Sequence, residues 1–243
     1  MHKPRLVFLF PGQGSQHPGM ARQLVDEVPA FREAFDRALP LAEAALGVDL
    51  RAWLVSADPA DAEVARQLAQ THCAQPALFS VSYALAAWLD SLGIRPDAMI
   101  GHSIGEYAAA CHAGVLSLED AMAAVIARGQ AMFEQPPGAM LAVRAGLDAV
   151  RALLPEGIEV AGCNAPALTV VAGGHEAIDR FAQSLEKSEI DATRLRVSHA
   201  FHSASMEGAL PRVSQALAQA RLRAPSLTVY SCVSGAPLQA HEA

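Results

Sequence analysis

The chain has 243 residues, of which 52% are hydrophobic and 18% are charged, and its 17 glycines and 15 prolines are spread along the sequence. This composition argues against disordered, collagen-like and coiled-coil proteins and indicates one large domain, or a core that carries a smaller subdomain. The formal net charge of −7 repels phosphate backbones and anionic lipid alike, so we expect neither a nucleic-acid partner nor a membrane surface.

Cysteine usage and hydropathy constrain the compartment. The four cysteines lie too far apart for metal-ligand spacing or a secreted disulfide framework, so we expect no metal site and reduced, mostly buried thiols. The longest stretch without Asp, Glu, Lys or Arg, 67–89, contains Gln, Thr, His and Pro, which favours a buried helix over a membrane span. No export signal is visible, and the expected location is the cytoplasm.

In the first half of the chain, apolar runs and turn residues predict two short strands among helices. The second strand is followed by a glycine turn over 101–105 and an alanine-rich helix ending near 113, an order typical of doubly wound α/β proteins. Pro40 is expected to break one helical pattern, and Asp58 and Pro59 to begin another. The predicted elements are strands over 5–10 and 98–100 and further helices over 30–38, 41–46, 58–68, 76–92 and 118–134.

From Gly138 onward the predicted elements follow the order β-α-β-β-α-β, which is the ferredoxin-like pattern. We therefore expect a small subdomain at 132–198, inserted into a large subdomain formed by 1–131 and 199–243. The predicted elements are strands over 139–144, 158–163, 168–172 and 193–197, helices over 147–154 and 175–188, and then a helix over 211–222 and a strand over 227–232.

Residues 101–105, Gly-His-Ser-Ile-Gly, match the G-x-S-x-G pattern, in which a serine lies on a tight turn between a strand and a helix. Such a turn exposes the hydroxyl of Ser103. The first amides of the following helix point toward it, so the amide of Ile104 can donate to an oxyanion. A serine that only caps the helix is the alternative interpretation.

A second glycine-rich loop, Pro-Gly-Gln-Gly-Ser-Gln over 11–16, follows the first predicted strand. It lacks the third glycine of a dinucleotide loop and the Gly-Lys-Ser/Thr of a phosphate loop, so phosphate binding is poorly supported. Gln13 offers a side-chain amide and accessible backbone donors instead, which are the parts of an oxyanion hole.

Five motifs follow one another along the chain. They are Gly12–Gln16, Gln75–Leu78, Gly101–Glu106, Arg128-Gly129 with Met132, and His199–Ser203 with Met206. Together they resemble the acyltransferase family that loads malonyl-type units onto acyl carrier proteins. The resemblance is closest to the acyltransferase domains of modular polyketide synthases, with the malonyl-CoA:carrier-protein transacylase of fatty acid synthesis as the single-protein relative. It implies an α/β-hydrolase-like parallel-sheet core with an inserted ferredoxin-like α+β subdomain, in agreement with the element pattern.

The resemblance assigns roles to individual residues. Ser103 resembles the nucleophile, and His202 resembles the general base that takes its proton during attack and returns it to the leaving thiol. His199 is expected to pack at the pocket wall, and Gln75 to shape the site. Arg128 resembles the arginine that binds the free carboxylate of a malonyl group through a bidentate fork, with a carboxylate of the protein as the alternative partner.

The resemblance also implies a substrate and partners. An acyl group would move from CoA to Ser103 and then to the phosphopantetheine thiol of an acyl carrier protein, so acyl-CoA is a substrate and no cofactor stays bound. The residues His-Ala-Phe-His over 199–202 resemble the malonyl-selective form of the motif, in which the ring of Phe201 fills the space that a methyl branch needs. Neighbouring synthase domains are further expected partners, in polyketide or fatty acid biosynthesis.

Two alternatives stay open. A serine esterase on the same core normally has an acid between nucleophile and histidine in chain order, and Asp148, Asp179 and Asp191 in that interval fall in the predicted insert. A non-catalytic fragment of a longer synthase is the second alternative. Family members often have Asn where this chain has Cys232, and their pattern continues with further elements beyond that point.

Overall fold

The computed structural model describes residues 5–239 and 241, which form two compact units. The large unit contains the described residues up to Gln130 and from Arg212 onward, and the small unit is Ala131–Pro211. The large unit has a parallel sheet with helices, and the small unit has an antiparallel sheet with helices. The predicted α/β class is therefore confirmed.

Strands and helices are numbered in chain order. The strands are β1 (Val7–Phe10), β2 (Ala98–Gly101), β3 (Ala139–Val143), β4 (Ile158–Ala165), β5 (Leu168–Gly173), β6 (Ala192–Arg194) and β7 (Val229–Tyr230). The helices are α1 (Arg22–Glu27), α2 (Pro29–Leu46), α3 (Ala62–Leu68), α4 (Thr71–Ser91), α5 (Gly105–His112), α6 (Leu118–Phe133), α7 (Leu147–Leu153), α8 (His175–Lys187) and α9 (Leu210–Gln219). A π-helical turn covers Ala52–Ser56 and a 3-10 helix covers Ala204–Ala209.

Strands β1, β2 and β7 form the parallel sheet of the large unit, with β2 between the other two. Leu9 pairs with Ile100, and Ile100 pairs with Tyr230. Because the strands are parallel, the loop after β1, the turn after β2 and the segment after β7 all start at the same edge of the sheet. Open α/β sheets bind their ligands at this edge.

The core of the large unit is built around α4, which packs against α2. Phe31 and Phe35 of α2 are fully buried and stack with ring centroids 5.7 Å apart. Phe79 of α4 is 1% exposed and contributes to the same cluster. Most residues of α4 are buried, so the helix that carries Gln75 has a fixed position.

Two helix predictions in the large unit are wrong at prolines. Helix α2 continues through Pro40, because Leu39 and Ala42 on either side are fully buried in the core. That burial offsets the penalty of about 3 kcal/mol for an interior proline. Helix α4 begins at Thr71 rather than at the predicted Pro76, which lies inside the helix.

The start of α3 also differs from the prediction. Asp61 rather than Asp58 is its N-cap, since Oδ1 of Asp61 accepts the backbone amides of Glu63 and Val64 at 3.0 Å each. Both aspartates precede the same apolar pattern, so the pattern by itself does not rank them.

In the small unit the sheet has the order β4-β5-β3-β6, and all neighbouring strands are antiparallel. Strands β3 and β4 therefore run parallel with β5 between them, and β5 and β6 run parallel with β3 between them. These are two split βαβ units, with α7 and α8 as their crossover helices. Val150 of α7 and Ile178 of α8 pack with Leu141 and Val171 of the sheet. The predicted ferredoxin-like architecture is confirmed.

The small unit extends further along the chain than the predicted insert, 132–198. Ala200 and Phe201 pack with Met140, which points to the face of the sheet opposite α7 and α8. An apolar sheet face needs such a cover, and the compact unit accordingly ends at Pro211. The sequence analysis places the return to the large subdomain at residue 199, whereas the large unit of the structure resumes at Arg212.

None of the helices formed by the described residues is long and apolar enough to span a bilayer. The uncharged stretch noted in the sequence belongs mostly to α4, which is largely buried. All four cysteines are free thiols. Cys73 is buried, but Cys163 and Cys232 are exposed, so the expectation of mostly buried thiols is wrong.

Candidate active site

Ser103 lies at the tight turn between β2 and α5. The turn is closed by two backbone hydrogen bonds at 3.0 Å, from Gly105 N–H to the His102 carbonyl and from Glu106 N–H to the Ser103 carbonyl. Ser103 has a φ of 53°, a left-handed conformation that residues with a side chain rarely adopt. This conformation is the strained strand-to-helix turn that the G-x-S-x-G pattern predicts.

The two glycines of the motif allow the backbone to approach closely. A Cβ atom at Gly101 would lie 2.2 Å from the amide nitrogen of Glu106, and one at Gly105 would lie 2.2 Å from the carbonyl oxygen of Phe10. Both obstacles are backbone atoms, which cannot move aside as a side chain can. Glycine is therefore required at 101 for the start of α5 to approach β2, and at 105 for the turn to pack against β1.

Three predicted site residues are in direct contact in the large unit. The hydroxyl of Ser103 accepts a hydrogen bond from Nη2 of Arg128 at 3.1 Å. Nη1 of the same guanidinium donates to Oε1 of Gln75 at 2.7 Å, and Gln75 is 1% exposed. The guanidinium carbon also lies 5.9 Å from the ring centroid of Tyr107. Helices α4 and α6 thus bring Gln75 and Arg128 to the turn that carries Ser103.

Arg128 carries a charge that burial disfavours. Burial lowers its pKa, and Tyr107 and Glu106 partly offset that effect. Among the described residues, Arg128 forms no ion pair with an aspartate or glutamate. A guanidinium stays protonated at neutral pH, so a partly buried cation whose hydrogen-bond partners, Gln75 and Ser103, are neutral creates a site that favours an anion.

The predicted oxyanion donors lie at the edge where β1 and β2 end. Nε2 of Gln13 donates to Oγ1 of Thr71 at 3.4 Å, and the amide of His102 donates to the carbonyl of Phe10 at 2.9 Å. Within the described part of the chain, the backbone amides of Gln13 and Ile104 donate to no protein acceptor. Both amides therefore remain available to a ligand at this edge of the sheet.

His199, Phe201 and His202 belong to the small unit. His199 is 5% exposed, its Nδ1 is 2.7 Å from Oγ of Ser198, and its ring centroid lies 5.7 Å from that of Phe201. His202 is exposed and has a φ of 60°. Besides Ser103 and His202, Glu189 is the third described non-glycine residue with a positive φ. Such strained positions concentrate at functional sites.

Two residues, Tyr107 and Cys232, make contacts near Ser103 that were not predicted from the sequence. Tyr107 follows the serine motif by one turn of helix and lies under Arg128, and an aromatic residue at that spacing is the only local signal. Cys232 donates its backbone amide to Oε1 of Glu106 at 2.6 Å and its thiol to the carbonyl of Gly101. The predicted strand over 227–232 includes Cys232, but its pairing with β2, which brings Cys232 to this turn, is not visible in the sequence.

The described residues contain no group of three or more His, Cys, Asp or Glu side chains that could hold a metal ion. The polar groups brought together around Ser103 in the large unit are a hydroxyl, a guanidinium and amides. These groups can attack a carbonyl, hold a carboxylate and stabilise an oxyanion.

Comparison with known proteins identifies the family of the chain. A family model described as "Acyl transferase domain" matches residues 7–243. The chain is 42% identical over 232 residues to the type I polyketide synthase of phenolphthiocerol synthesis from Mycobacterium marinum, a match that covers 95% of this chain but only 11% of that protein. The chain thus spans a small part of the length of such relatives.

Two solved structures are similar over nearly the whole chain. The acyltransferase domain from the second module of the salinomycin polyketide synthase has a TM-score of 0.88 and 43% identity, covering 98% of this chain and 55% of that one. The malonyl CoA-acyl carrier protein transacylase from Coxiella burnetii has a TM-score of 0.82 and 32% identity, covering 93% of this chain and 72% of that one.

Proposed function

We propose a reaction for this chain, which belongs to the acyl transferase domain family of modular polyketide synthases: Ser103 takes an acyl group from acyl-CoA and passes it to the phosphopantetheine thiol of an acyl carrier protein. The chain itself keeps no permanently bound cofactor in this scheme. The partners are acyl-CoA, the carrier protein and neighbouring domains of a synthase.

One observation carries the proposal. Arg128 lies 3.1 Å from the Ser103 hydroxyl, and its guanidinium has no carboxylate partner among the described residues. A substrate that brings its own carboxylate to the serine would supply the missing anion through two parallel hydrogen bonds. Malonyl-type acyl groups carry such a carboxylate, whereas simple acyl esters do not.

The reaction has two steps with balanced proton transfers. The oxygen of Ser103 attacks the thioester carbonyl while His202 takes the hydroxyl proton, and the amides of Gln13 and Ile104 hold the oxyanion. Collapse breaks the carbon–sulfur bond, and His202 returns the proton to the CoA thiol. The carrier-protein thiol then attacks the serine ester in the same way, which regenerates Ser103.

We further propose that the acyl group is malonyl. This assignment rests on the residues His199-Ala200-Phe201-His202, in which the Phe201 ring would meet the methyl group of a branched acyl unit. Excluding one methyl group by shape typically changes the rate by about 10- to 200-fold, so a preference is expected rather than an absolute choice.

Intact-mass spectrometry tests the proposal. The protein is mixed with malonyl-CoA, and the expected result is a malonyl adduct on Ser103 that disappears when a phosphopantetheinylated carrier protein is added. The Ser103→Ala variant, with an unchanged thermal melt, should form no adduct. A folded protein that stays unmodified would contradict the proposal, and release of free malonate much faster than transfer would favour an esterase.

A further inference from the structure

The segment after β7 contacts the turn that carries Ser103 at three points. The backbone amide of Cys232 donates to Oε1 of Glu106 at 2.6 Å, and its thiol donates to the carbonyl of Gly101. Burial raises the pKa of the Cys232 thiol, the charge of Glu106 adds to this effect, and a hydrogen bond from the Ser103 backbone opposes it. The sulfur atom thus contacts the peptide groups on both sides of His102.

These contacts add to the backbone hydrogen bonds that His102 and Ser103 make with β1 and with the first residues of α5. Gly101 is fixed by strand pairing with Phe10, and Gly105 begins the helix. His102 and Ser103 lie between them, and Ser103 has the left-handed φ of 53°. A residue with a side chain keeps such a conformation only when its surroundings fix it. The Cys232 sulfur donates to the carbonyl of Gly101 and accepts the backbone amide of Ser103, so it fixes the peptide groups on both sides of His102.

Glu106 fixes the position of Cys232 itself. A carboxylate that accepts a backbone amide forms a charge-assisted hydrogen bond, which is stronger than a neutral one. Glu106 lies in the first turn of α5, where the helix dipole favours a negative charge. The segment after β7 is therefore tied to the same helix whose N-terminus follows Ser103.

We propose that Cys232 and Glu106 are positioning residues that hold the Ser103 turn in the conformation needed for acylation. The proposal rests on the proposed function of Ser103. Neither residue has to touch the substrate, because Cys232 acts through the backbone of residues 101–103 and Glu106 acts through Cys232. A thiol that remains protonated at neutral pH keeps its donor, so the contact to Gly101 persists under working conditions.

The test compares two substitutions of Cys232 that differ in polarity. Cys232→Val keeps a similar volume but removes donor and acceptor, and Cys232→Ser keeps both. We expect Cys232→Val to slow the single-turnover acylation of Ser103 by malonyl-CoA about tenfold, the loss of roughly one positioned hydrogen bond, with KM unchanged. Cys232→Ser should recover most of the rate. The matched control is Cys163→Val, which alters an exposed cysteine of β4 and should leave the rate unchanged.

Glu106→Ala should lower the rate by at least this factor, since the charge of Glu106 also supports Arg128. The double variant with Cys232→Val should lose less than the product of the two single losses, because the contacts of Cys232 depend on Glu106. Independent losses would contradict the proposal. So would a folded Cys232→Val protein that acylates at the unmodified rate, or a Cys232→Ser protein as slow as Cys232→Val.

A second measurement separates this proposal from the proposed function. Amide hydrogen exchange of the peptide covering 101–106 should be faster in Cys232→Val than in the unmodified protein and in Cys232→Ser. Unchanged exchange would overturn the positioning role even if Ser103 acylates. If the protein with its original sequence forms no Ser103 adduct, the proposed function is contradicted. The exchange result would still decide whether Cys232 holds the turn.

Discussion

Arg128 donates a hydrogen bond to the hydroxyl of Ser103 at 3.1 Å in the protein without substrate. The group proposed to bind the carboxylate and the group proposed to carry the acyl chain are therefore immediate neighbours. In a malonyl ester a single methylene carbon separates the two carboxyl carbons, so a short diacid suits a guanidinium beside the serine. A longer diacid would have to fold back or displace Arg128 from Gln75, to which it donates at 2.7 Å.

Substitution of Arg128 should separate carboxylate binding from serine chemistry. We expect Arg128→Gln to lower kcat/KM for malonyl-CoA by about 100-fold, because two charge-assisted hydrogen bonds are lost. Acylation by acetyl-CoA, which has no carboxylate, should fall far less. With malonyl-CoA, kcat/KM of Arg128→Lys should lie between those of the original protein and Arg128→Gln, since an ammonium keeps the charge but not the fork. Single-turnover rates with both CoA esters provide the measurement.

The control is Arg180→Gln, which removes an arginine on α8 whose side chain is 72% exposed and pairs with Glu176. An exposed pair of this kind contributes little, so both rates should stay unchanged. Equal losses with malonyl-CoA and acetyl-CoA in Arg128→Gln would contradict carboxylate binding and indicate a general defect of the site.

The close approach at Gly105 should make this position intolerant of any side chain. In Gly105→Ala the new methyl group would lie 2.2 Å from the carbonyl oxygen of Phe10, so the turn or β1 must shift. We expect a loss of about 2–4 kcal/mol in unfolding free energy, measured by denaturant titration, together with loss of acylation. Gly162→Ala, which adds a methyl group with no neighbour within 4 Å, should cost little.

The sequence predicted the turn after β2 well because its requirements are local. Glycine at 101 and 105, an apolar strand before and an alanine-rich helix after are all visible in a short stretch of residues. The contact of Cys232 with Gly101 could not be predicted in this way, because 131 positions separate the two residues. The pairing of β2 with β7 brings them together, and this pairing depends on the whole sheet.

Pro40 shows a second limit of sequence reasoning. A proline predicts a helix break from local sterics, whereas the burial of Leu39 and Ala42 that keeps α2 continuous is a property of the packed core. The end of the small unit at Pro211 likewise depends on packing rather than on the local sequence. Residues such as Phe201 cover a sheet face, and the linear pattern does not reveal which face remains open.

The four thiols should differ sharply in reactivity. Burial raises the pKa of Cys73 to about 11 and, together with Glu119, that of Cys111 to about 12, so neither forms thiolate at pH 8. Cys163 and Cys232 are exposed. We expect iodoacetamide to label Cys163 and Cys232 in the folded protein, with Cys232 slower because its pKa is also raised. Peptide mapping measures both rates.

Unfolding in denaturant serves as the control for this labelling, since all four cysteines should then react at similar rates. Rapid labelling of Cys73 or Cys111 in the folded protein would contradict the burial of these residues.

His112 should make the protein less stable as the pH falls. Its Nε2 finds no hydrogen-bond partner among the described residues and lies 3.8 Å from Oδ2 of Asp90. Burial lowers its pKa from 6.5, and Asp90 only partly opposes this effect. Below pH 6.5 the unfolded chain therefore binds the proton more readily, and stability is lost. At pH 5.5 the loss from this residue is at most about 1.4 kcal/mol.

Thermal melts at pH 7.5 and 5.5 measure the effect. His112→Gln should show a smaller drop in Tm between the two pH values than the unmodified protein, while His17→Gln, at an exposed site, should behave like the unmodified protein. An identical drop in all three proteins would show that His112 contributes nothing to the pH dependence.

The ring of Phe201 should determine how strongly a methyl branch is rejected. In a competition between malonyl-CoA and methylmalonyl-CoA for one carrier protein, we expect malonyl product to exceed methylmalonyl product by about 10- to 200-fold. Phe201→Leu should lower this ratio because a smaller side chain leaves room for the methyl group. Leucine is chosen because Phe201 is only 6% exposed and packs in an apolar cluster, so a polar residue such as serine would also cost stability.

The product ratio is independent of how much protein is folded, since both CoA esters compete for the same active molecules. Phe181→Leu is the matched control, because Phe181 is also buried, at 2% exposure, but belongs to the cluster formed with α7 and α8. It should lower Tm by an amount similar to Phe201→Leu and leave the ratio unchanged. Equal loading of both acyl groups by the unmodified protein, or a ratio that shifts in neither variant, would refute the argument from side-chain volume.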